Sequence, residues 1–130
     1  MSATQTGLLL FAHGARDPNW ALPFEAVLCR VRAQAPHITV SLSFLEFMTP
    51  TLLEAGSTLA AAGCTHVAIV PLFLGSGGHV RKDLPLLIET LRSAHPQVTW
   101  TLRPSIGEAP GVIEAMASAA LQSTDTAPSP

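Results

Sequence analysis

The sequence contains few charged residues and few cysteines. Asp, Glu, Lys and Arg make up 12% of its 130 residues, the formal net charge is −2, and seven basic residues are spread along the chain. Proteins that hold a nucleic-acid backbone need a basic patch or stripe, so nucleic acid is not an expected partner. The two cysteines, Cys29 and Cys64, have no CxxC spacing. We expect both to be reduced, packed thiols.

Long apolar runs and targeting signals are also missing. No run approaches the roughly 18 apolar residues of a membrane span, and the N-terminus lacks the basic region of a secretory signal. These absences predict a cytoplasmic protein that has no membrane partner. The chain is nevertheless 48% hydrophobic, with a mean hydropathy of +0.37. Part of its apolar surface is therefore expected to be buried against a partner.

Short apolar segments alternate along the chain with helical patterns. The predicted strands are residues 7–12, 38–45, 66–73 and 98–102. Apolar residues at helical spacing follow each of them, the first in a helix over residues 18–34. Thr49 and Pro50 are predicted as N-cap and first residue of the second helix, which Gly63 ends. Pro71 lacks a backbone donor and must lie near the end of its strand.

This βαβαβαβα order predicts an α/β fold with a parallel sheet, right-handed crossovers and helices on both faces. One domain is expected over residues 1–121. The remaining residues, 122–130, are polar and rich in proline, and we predict a disordered tail. Ligands of such sheets bind beyond the carboxyl ends of the strands, which directs attention to the loops that follow them.

Two of the five histidines are predicted to lie at that edge. His13 leaves the first strand and His79 closes the loop after the third, whereas His37 and His66 precede strands and His95 ends a helix. Neutral imidazole is the commonest nitrogen ligand for borderline divalent metals. The first two histidines are therefore candidate metal ligands, with a structural or solvated role as the alternative.

Glu46 reaches the same edge from the second strand. A carboxylate beside two imidazoles can bind metal or accept a proton, and the alternative is a helix cap or a solvated side chain. Residues 75–78 read GSGG, which allows backbone N–H groups to approach a ligand. Neither GxxxxGK[ST] nor GxGxxG is present, so the loop is not one of the known phosphate-binding motifs.

Three basic residues flank the two histidines. Arg16, Arg81 and Lys82 each lie within three residues of one of them, which makes the predicted cleft locally basic in a weakly acidic protein. A ligand with several carboxylates would suit such a cleft. The alternatives are a solvated helix start and a local ion pair between Arg16 and Asp17, worth well under ~1 kcal/mol.

Three motifs, taken together, resemble a known family. They are HGARDP at 13–18, FLE at 44–46, and a segment from PLFL at 71–74 through GGHV to DLP at 83–85. In this order and spacing they resemble the class II chelatases of the small sirohydrochlorin type, over nearly the whole chain. The resemblance implies a flavodoxin-like three-layer fold with a four-stranded parallel sheet. It also implies a homodimer whose subunits mimic the two fused halves of larger chelatases.

The activity implied by the resemblance is insertion of Co²⁺ into sirohydrochlorin on the route to cobalamin, without an organic cofactor; similar proteins insert iron or nickel. It implies that His13 is the proton acceptor and a metal ligand, and that His79 is the second metal ligand. The implied tetrapyrrole contacts are Glu46, Leu74, Gly75, Ser76, Gly77, Gly78 and His79. Many relatives carry serine at the position of Ala15, so a hydroxyl near the first histidine is missing here.

The residue types suit metal insertion. Placing a divalent metal in a free-base macrocycle expels two pyrrole protons, and imidazole serves both as a metal ligand and as a base near neutral pH. Two other hypotheses remain. One is a flavodoxin-like module that binds a nucleotide or flavin phosphate on residues 75–78. The other is a metallochaperone that carries cobalt on the same histidines and binds no macrocycle.

Overall fold

The computed structural model describes residues 5–75 and 77–124, and at His79 the backbone alone. Strands and helices alternate over this part of the chain, as predicted. The strands are β1 (Thr6–Ala12), β2 (Thr39–Phe44), β3 (His66–Pro71) and β4 (Thr99–Leu102). The helices are α1 (Leu22–Gln34), α2 (Leu52–Ala61), α3 (Gly78–Ala94) and α4 (Pro110–Gln122), with short 3-10 helices at Pro18–Ala21 and Ile106–Glu108.

The four strands form one parallel sheet in the order β2-β1-β3-β4. In the register of β1 with its neighbours, Ala12 pairs with Phe44 and Phe11 pairs with Pro71. The carboxyl ends of β2, β1 and β3 therefore lie side by side, and the loops that follow them leave the sheet at one edge. The predicted α/β class with a four-stranded parallel sheet is confirmed.

The core lies on both faces of the sheet. On one face α2 and α3 cover a cluster of buried side chains that includes Phe11, Leu59, Ile69, Leu91 and Trp100. On the other face α1 packs over a smaller cluster, whose buried members are Leu10, Ala12, Ala21, Val40, Leu42 and Phe44. Burial on both faces explains why the strands read as nearly continuous apolar runs.

The second helix begins two residues later than predicted. Thr51, not Thr49, is the N-cap of α2, and its Oγ1 accepts a hydrogen bond from the Glu54 backbone N at 3.2 Å. Glu54 Oε1 accepts in return from the Thr51 N at 2.8 Å, which completes a capping box. Pro50 instead stays beside the end of β2, where its carbonyl oxygen accepts from the Phe44 N at 2.9 Å. Gly63 follows the helix with φ +96°, as predicted.

Two further expectations need correction. Residues 18–34 do not form one helix, because a 3-10 turn precedes α1. Asp17 caps that turn by accepting a hydrogen bond from the Asn19 N at 2.9 Å. Cys29, predicted to be packed, is exposed, whereas Cys64 is buried as expected. Pro71 lies at the end of β3, where it was predicted.

The last helix differs from the others in its packing. Helix α4 runs to Gln122 and contains no buried residue. The predicted tail falls mainly on residues 125–130, which lie outside the described residues. In the part of the chain that the structure describes, no helix is both long and apolar enough to cross a bilayer.

Candidate functional site

The structure brings His13 and Glu46 together at the carboxyl edge of the sheet. They follow β1 and β2, and the two loops are joined by backbone hydrogen bonds from Leu45 N to Ala12 O at 2.9 Å and from Glu46 N to His13 O at 3.1 Å. The His13 Nε2 lies 3.5 Å from the Glu46 Oε1, and both side chains are about half exposed. The pair therefore offers one nitrogen and one carboxylate to solvent or to a ligand.

Gly14 makes this approach of the two loops possible. Its φ is +92°, and a Cβ at this position would lie 1.9 Å from the Glu46 carbonyl oxygen. A side chain here would have to displace backbone rather than a flexible side chain. The contact between the two loops at Glu46 therefore requires a glycine after His13 in the HGARDP motif.

Phe73 packs beside the His13 ring. The two ring centroids are 6.2 Å apart with planes inclined at 67°, and Phe73 meets the buried Phe11 in a similar edge contact at 5.7 Å. Because Phe73 is itself buried, the imidazole stands on a rigid apolar support. The sequence analysis did not assign Phe73 a role at the site, although Phe73 is the last residue of the third predicted strand.

A second residue that the sequence analysis missed is Phe47. It adopts φ +65°, which is uncommon for a bulky residue, and it is 58% exposed. The Arg16 guanidinium lies over its ring, 4.9 Å from the centroid, so Arg16 stacks on Phe47. An exposed aromatic directly after Glu46 was the available signal. The ion pairs formed by the described side chains do not include one between Arg16 and Asp17.

The glycine-rich loop after β3 lies at the same edge. Leu74 is 72% exposed, and a Cβ at Gly75 or Gly77 would meet nothing within 4 Å. Gly78 opens α3, and the His79 backbone lies in the first turn of that helix. Ser76 and the His79 side chain lie outside what the structure describes, so their expected roles stay predictions. Arg81 and Lys82, farther along α3, are exposed.

The remaining histidines lie away from this edge. His66 is the first residue of β3 and its Nδ1 lies 3.0 Å from the Thr65 Oγ1. His95 caps the carboxyl end of α3, and its Nε2 lies 2.9 Å from the Ser57 Oγ. His37 precedes β2. These positions agree with the predicted separation of the histidines between the two edges of the sheet.

The described side chains at this edge supply two potential metal donors. Within the residues that the structure describes, no three His, Cys, Asp or Glu side chains converge on one point. A metal site with few protein ligands differs in general from a four-ligand structural site, because positions on the metal stay open for other donors. Such an arrangement suits a site that binds a metal ion and then transfers it to another molecule.

Comparison with known proteins places the chain in a family. The CbiX family model matches residues 7–123. A sirohydrochlorin cobaltochelatase from Saccharolobus solfataricus is 36% identical over 85 residues, which cover 63% of this chain and 62% of the relative. One from Methanococcoides burtonii is 29% identical over 83 residues, covering 64% and 63%. The matched segment thus spans less than two thirds of these curated relatives.

Solved structures agree in fold. A cobalamin (vitamin B12) biosynthesis CbiX protein from Marinobacter aquaeolei superposes with a TM-score of 0.81 at 28% identity, over 92% of this chain and 98% of its own. SirB from Bacillus subtilis with Fe³⁺ gives a TM-score of 0.81 at 26% identity. The match covers 98% of this chain and 49% of the SirB chain. Since the family model covers most of the sequence and the fold agrees with that of a CbiX protein, the chain belongs to the CbiX family.

Proposed function

We propose that this protein is a chelatase that inserts a divalent metal, with Co²⁺ as the expected ion, into sirohydrochlorin. The observation that carries the proposal is the His13–Glu46 pair, with 3.5 Å between Nε2 and Oε1, at the carboxyl edge of the sheet in a CbiX-family chain. The matched relatives named sirohydrochlorin cobaltochelatase support the choice of reaction. A SirB structure from Bacillus subtilis subspecies spizizenii in complex with cobalt supports the choice of metal.

The proposed reaction exchanges one metal ion for two protons. His13 and His79 hold the incoming ion through imidazole nitrogens, and the remaining positions on the metal accept the pyrrole nitrogens. As the metal forms bonds to the macrocycle, the two pyrrole N–H bonds break. His13 accepts one proton when it releases the metal, and the Glu46 carboxylate is close enough to accept the second or to pass the first to water.

The macrocycle is proposed to lie across the loops that follow β1, β2 and β3. Nothing lies within 4 Å of the point where a Cβ would project at Gly75 or Gly77. A flat ligand can therefore approach the backbone there. The exposed Phe47 offers an aromatic surface, and the guanidinium of Arg16 lies over it. With Arg81 and Lys82, Arg16 supplies positive charge for the carboxylates of the substrate. Leu74, Ser76 and Gly78 complete the proposed contacts.

Assembly and location belong to the same proposal. We propose a cytoplasmic homodimer without nucleic-acid or membrane partners. Two features support the dimer: the high apolar content of the sequence, and the exposure of large hydrophobic side chains at Leu74, Leu86, Ile113 and Leu121. Monomeric soluble proteins rarely expose large contiguous apolar patches, so a protein partner is the physical expectation where such side chains cluster.

Absorbance spectroscopy tests the reaction. The purified protein, incubated with sirohydrochlorin and Co²⁺, is expected to accelerate the spectral change of metallation above the uncatalysed rate, and parallel reactions with Fe²⁺ and Ni²⁺ rank the metals. Acceleration with none of the three ions would refute the chelatase. Cobalt binding without any effect on the macrocycle spectrum would instead support the metallochaperone hypothesis.

A further inference from the structure

The loops that follow β1 and β2 contact each other through two pairs of side chains. The first pair is His13 with Glu46. The second is Arg16 with Phe47, in which the guanidinium carbon lies 4.9 Å from the ring centroid. Arg16 follows His13 by three residues and Phe47 follows Glu46 directly, so the second pair adjoins the first. A flat ligand centred on the first pair therefore has the second pair within reach of its edge.

Phe47 has a backbone conformation and an exposure that the fold alone does not favour. Its φ of +65° is rare for a bulky residue. Its ring is 58% exposed, although removing aromatic area from water is favourable. Sparsely populated backbone conformations cluster at active sites and at segments that hold ligands. The placement of this ring therefore indicates a role toward a ligand and not in the core.

The contact with Phe47 leaves the hydrogen-bond donors of Arg16 unused. A guanidinium is planar, and an arginine that stacks on an aromatic ring keeps its five N–H donors in that plane. The arginine side chains that donate hydrogen bonds to described residues are those of Arg32 and Arg92. Arg16 is exposed and is not among them. Its donors are therefore available to a ligand.

No carboxylate in the described part of the chain neutralises the charge of Arg16. The neighbouring Asp17 accepts a hydrogen bond from the Asn19 N at 2.9 Å and caps the 3-10 turn. Glu46 faces His13 instead. The ion pairs formed by the described side chains do not include Arg16. A ligand at this edge thus meets an unpaired positive charge that is held over a ring.

We propose that Arg16 binds one carboxylate on the rim of the tetrapyrrole, and that Phe47 is the positioning residue that holds the guanidinium for it. This inference rests on the proposed function and deepens it, because it names a rim contact that selects macrocycles with a carboxylate at that point. A guanidinium and a carboxylate form two parallel charge-assisted hydrogen bonds. With its metal at His13 and a carboxylate at Arg16, the macrocycle is held at two points, which fixes its rotation about the metal.

The ring contributes by arranging Arg16 before the substrate arrives. A long side chain loses rotamer freedom when a ligand immobilises it, and this loss lowers the affinity. An arginine that already lies over a ring has lost part of that freedom beforehand. Arg81 and Lys82 lie on α3, and among the described residues neither has an aromatic ring beneath its charge. Removal of the Phe47 ring should therefore weaken binding through Arg16 alone.

Fluorescence titration of the metal-free protein with sirohydrochlorin tests the rim contact. Arg16→Gln removes the charge, and the Kd is expected to rise about 10–100-fold. Phe47→Leu keeps an apolar side chain but has no π face, so the Kd should rise about 2- to 5-fold. Phe47→Trp should bind nearly as well as wild type. Arg30 is exposed on α1, and Arg30→Gln is the matched control that should leave the Kd unchanged.

The double variant shows whether Phe47 acts through Arg16. If it does, Phe47→Leu added to Arg16→Gln should raise the Kd no further, because residues that act together have non-additive effects. Salt gives a second measure, since NaCl should weaken the binding of wild type more steeply than that of Arg16→Gln. In the insertion assay Arg16→Gln should raise KM and leave kcat within a few-fold, because the rim contact is equally strong before and during the chemical step.

Phe47→Gly separates binding from folding. Glycine adopts a positive φ without strain, so the urea midpoint of Phe47→Gly should equal or exceed that of wild type. Its Kd for sirohydrochlorin should nevertheless rise at least as much as that of Phe47→Leu. A lower urea midpoint would show that the ring stabilises the fold, and would overturn its assignment as a positioning residue.

The outcomes separate the rim contact from the chemistry. An unchanged Kd for Arg16→Gln overturns the proposal, and so does a full effect of Phe47→Leu in the Arg16→Gln background. Either result leaves the chelatase in place when metal insertion is observed. The titration needs no metal, so the reverse case is also distinct. A protein that binds sirohydrochlorin through Arg16 but inserts no metal refutes the chelatase and retains the rim contact.

Discussion

His13 and Glu46 approach each other from neighbouring strands, and the proposed reaction assigns the heavier role to the histidine. His13→Ala removes a metal ligand and a proton acceptor at once. Loss of a general base alone lowers rates by about 10²–10⁴-fold. We therefore expect the initial rate of metal insertion to fall by at least this factor, and His13→Ala to be at least as damaging as His79→Ala. Near-normal turnover of His13→Ala would contradict the assignment.

The other histidines provide matched controls. His66 lies at the start of β3, about 17 Å along the strand from the carboxyl edge. His66→Ala, His37→Ala and His95→Ala should keep the insertion rate within a few-fold of wild type. If His66→Ala or His95→Ala were as inactive as His13→Ala while circular dichroism showed a folded protein, the active edge would be misplaced.

Glu46 makes a smaller contribution that can be measured separately. Its Oε1 lies 3.5 Å from the His13 Nε2. In the proposed reaction the carboxylate orients the imidazole and attracts the proton that the imidazole accepts. Glu46→Gln keeps the size of the side chain and removes its charge. Carboxylates that support a histidine ligand typically affect activity by about 10–100-fold, and we expect a loss in this range. Glu25→Gln, on the exposed face of α1, is the control.

At the scale of elements, the contact between Gly107 and Leu74 connects α4 to the glycine-rich loop after β3. Gly107→Ala introduces a Cβ that would lie 2.3 Å from a carbonyl oxygen, which the backbone must move to accommodate. Overpacking of this kind destabilises a protein by about 1–3 kcal/mol. We expect a loss of this size in urea denaturation together with a lower insertion rate, because the Leu74 backbone is displaced.

A neighbouring glycine is the control for that experiment. Gly111, in the first turn of α4, has nothing within 4 Å of a Cβ position. Gly111→Ala should leave the free energy of unfolding unchanged or raise it by up to about 1 kcal/mol, because alanine favours the helix. Equal destabilisation by both substitutions would show that the Leu74 contact is not the cause.

At the scale of the whole molecule, the proposed homodimer makes the stability of the fold depend on protein concentration. A partner that binds only the folded chain stabilises it by mass action. We expect the Tm of the wild-type protein to rise by about 3 °C for each tenfold increase in concentration in differential scanning calorimetry. Ile113→Glu should lower this dependence. A wild-type Tm that is constant from 1 to 100 μM would argue against a dimer coupled to folding.

Much of the architecture was determined by local patterns in the sequence. The four apolar runs, each followed by residues at helical spacing, predicted the parallel sheet, because strands that are buried on both faces cannot alternate with polar residues. The same order placed His13, Glu46 and His79 after strands and His66 and His37 before them. The structure agrees on the edge of the sheet at which each of these backbones lies, although His66 is the first residue of β3 and does not precede it. Strand direction alone decides at which edge a loop emerges.

Other features depend on contacts that leave no pattern along the sequence, and only the tertiary structure decided them. Helix α2 begins only after Thr51, because the hydrogen bond from Phe44 N to Pro50 O holds the predicted helix start beside β2. The stacking of Arg16 on Phe47 joins two loops that the sequence separates by thirty residues. Neither contact leaves a periodic signal in the sequence.

The position of α4 illustrates the same limit most clearly. The helical spacing of Ile113, Met116, Ala117 and Ala120 predicted a helix, and the helix is present. The pattern indicates that this apolar face must be covered by another surface, because removing apolar area from water is favourable. Which surface lies within reach depends on the turn at Gly107 and on its contact with Leu74. That contact directs α4 away from its own sheet, and no local property of the helix encodes it.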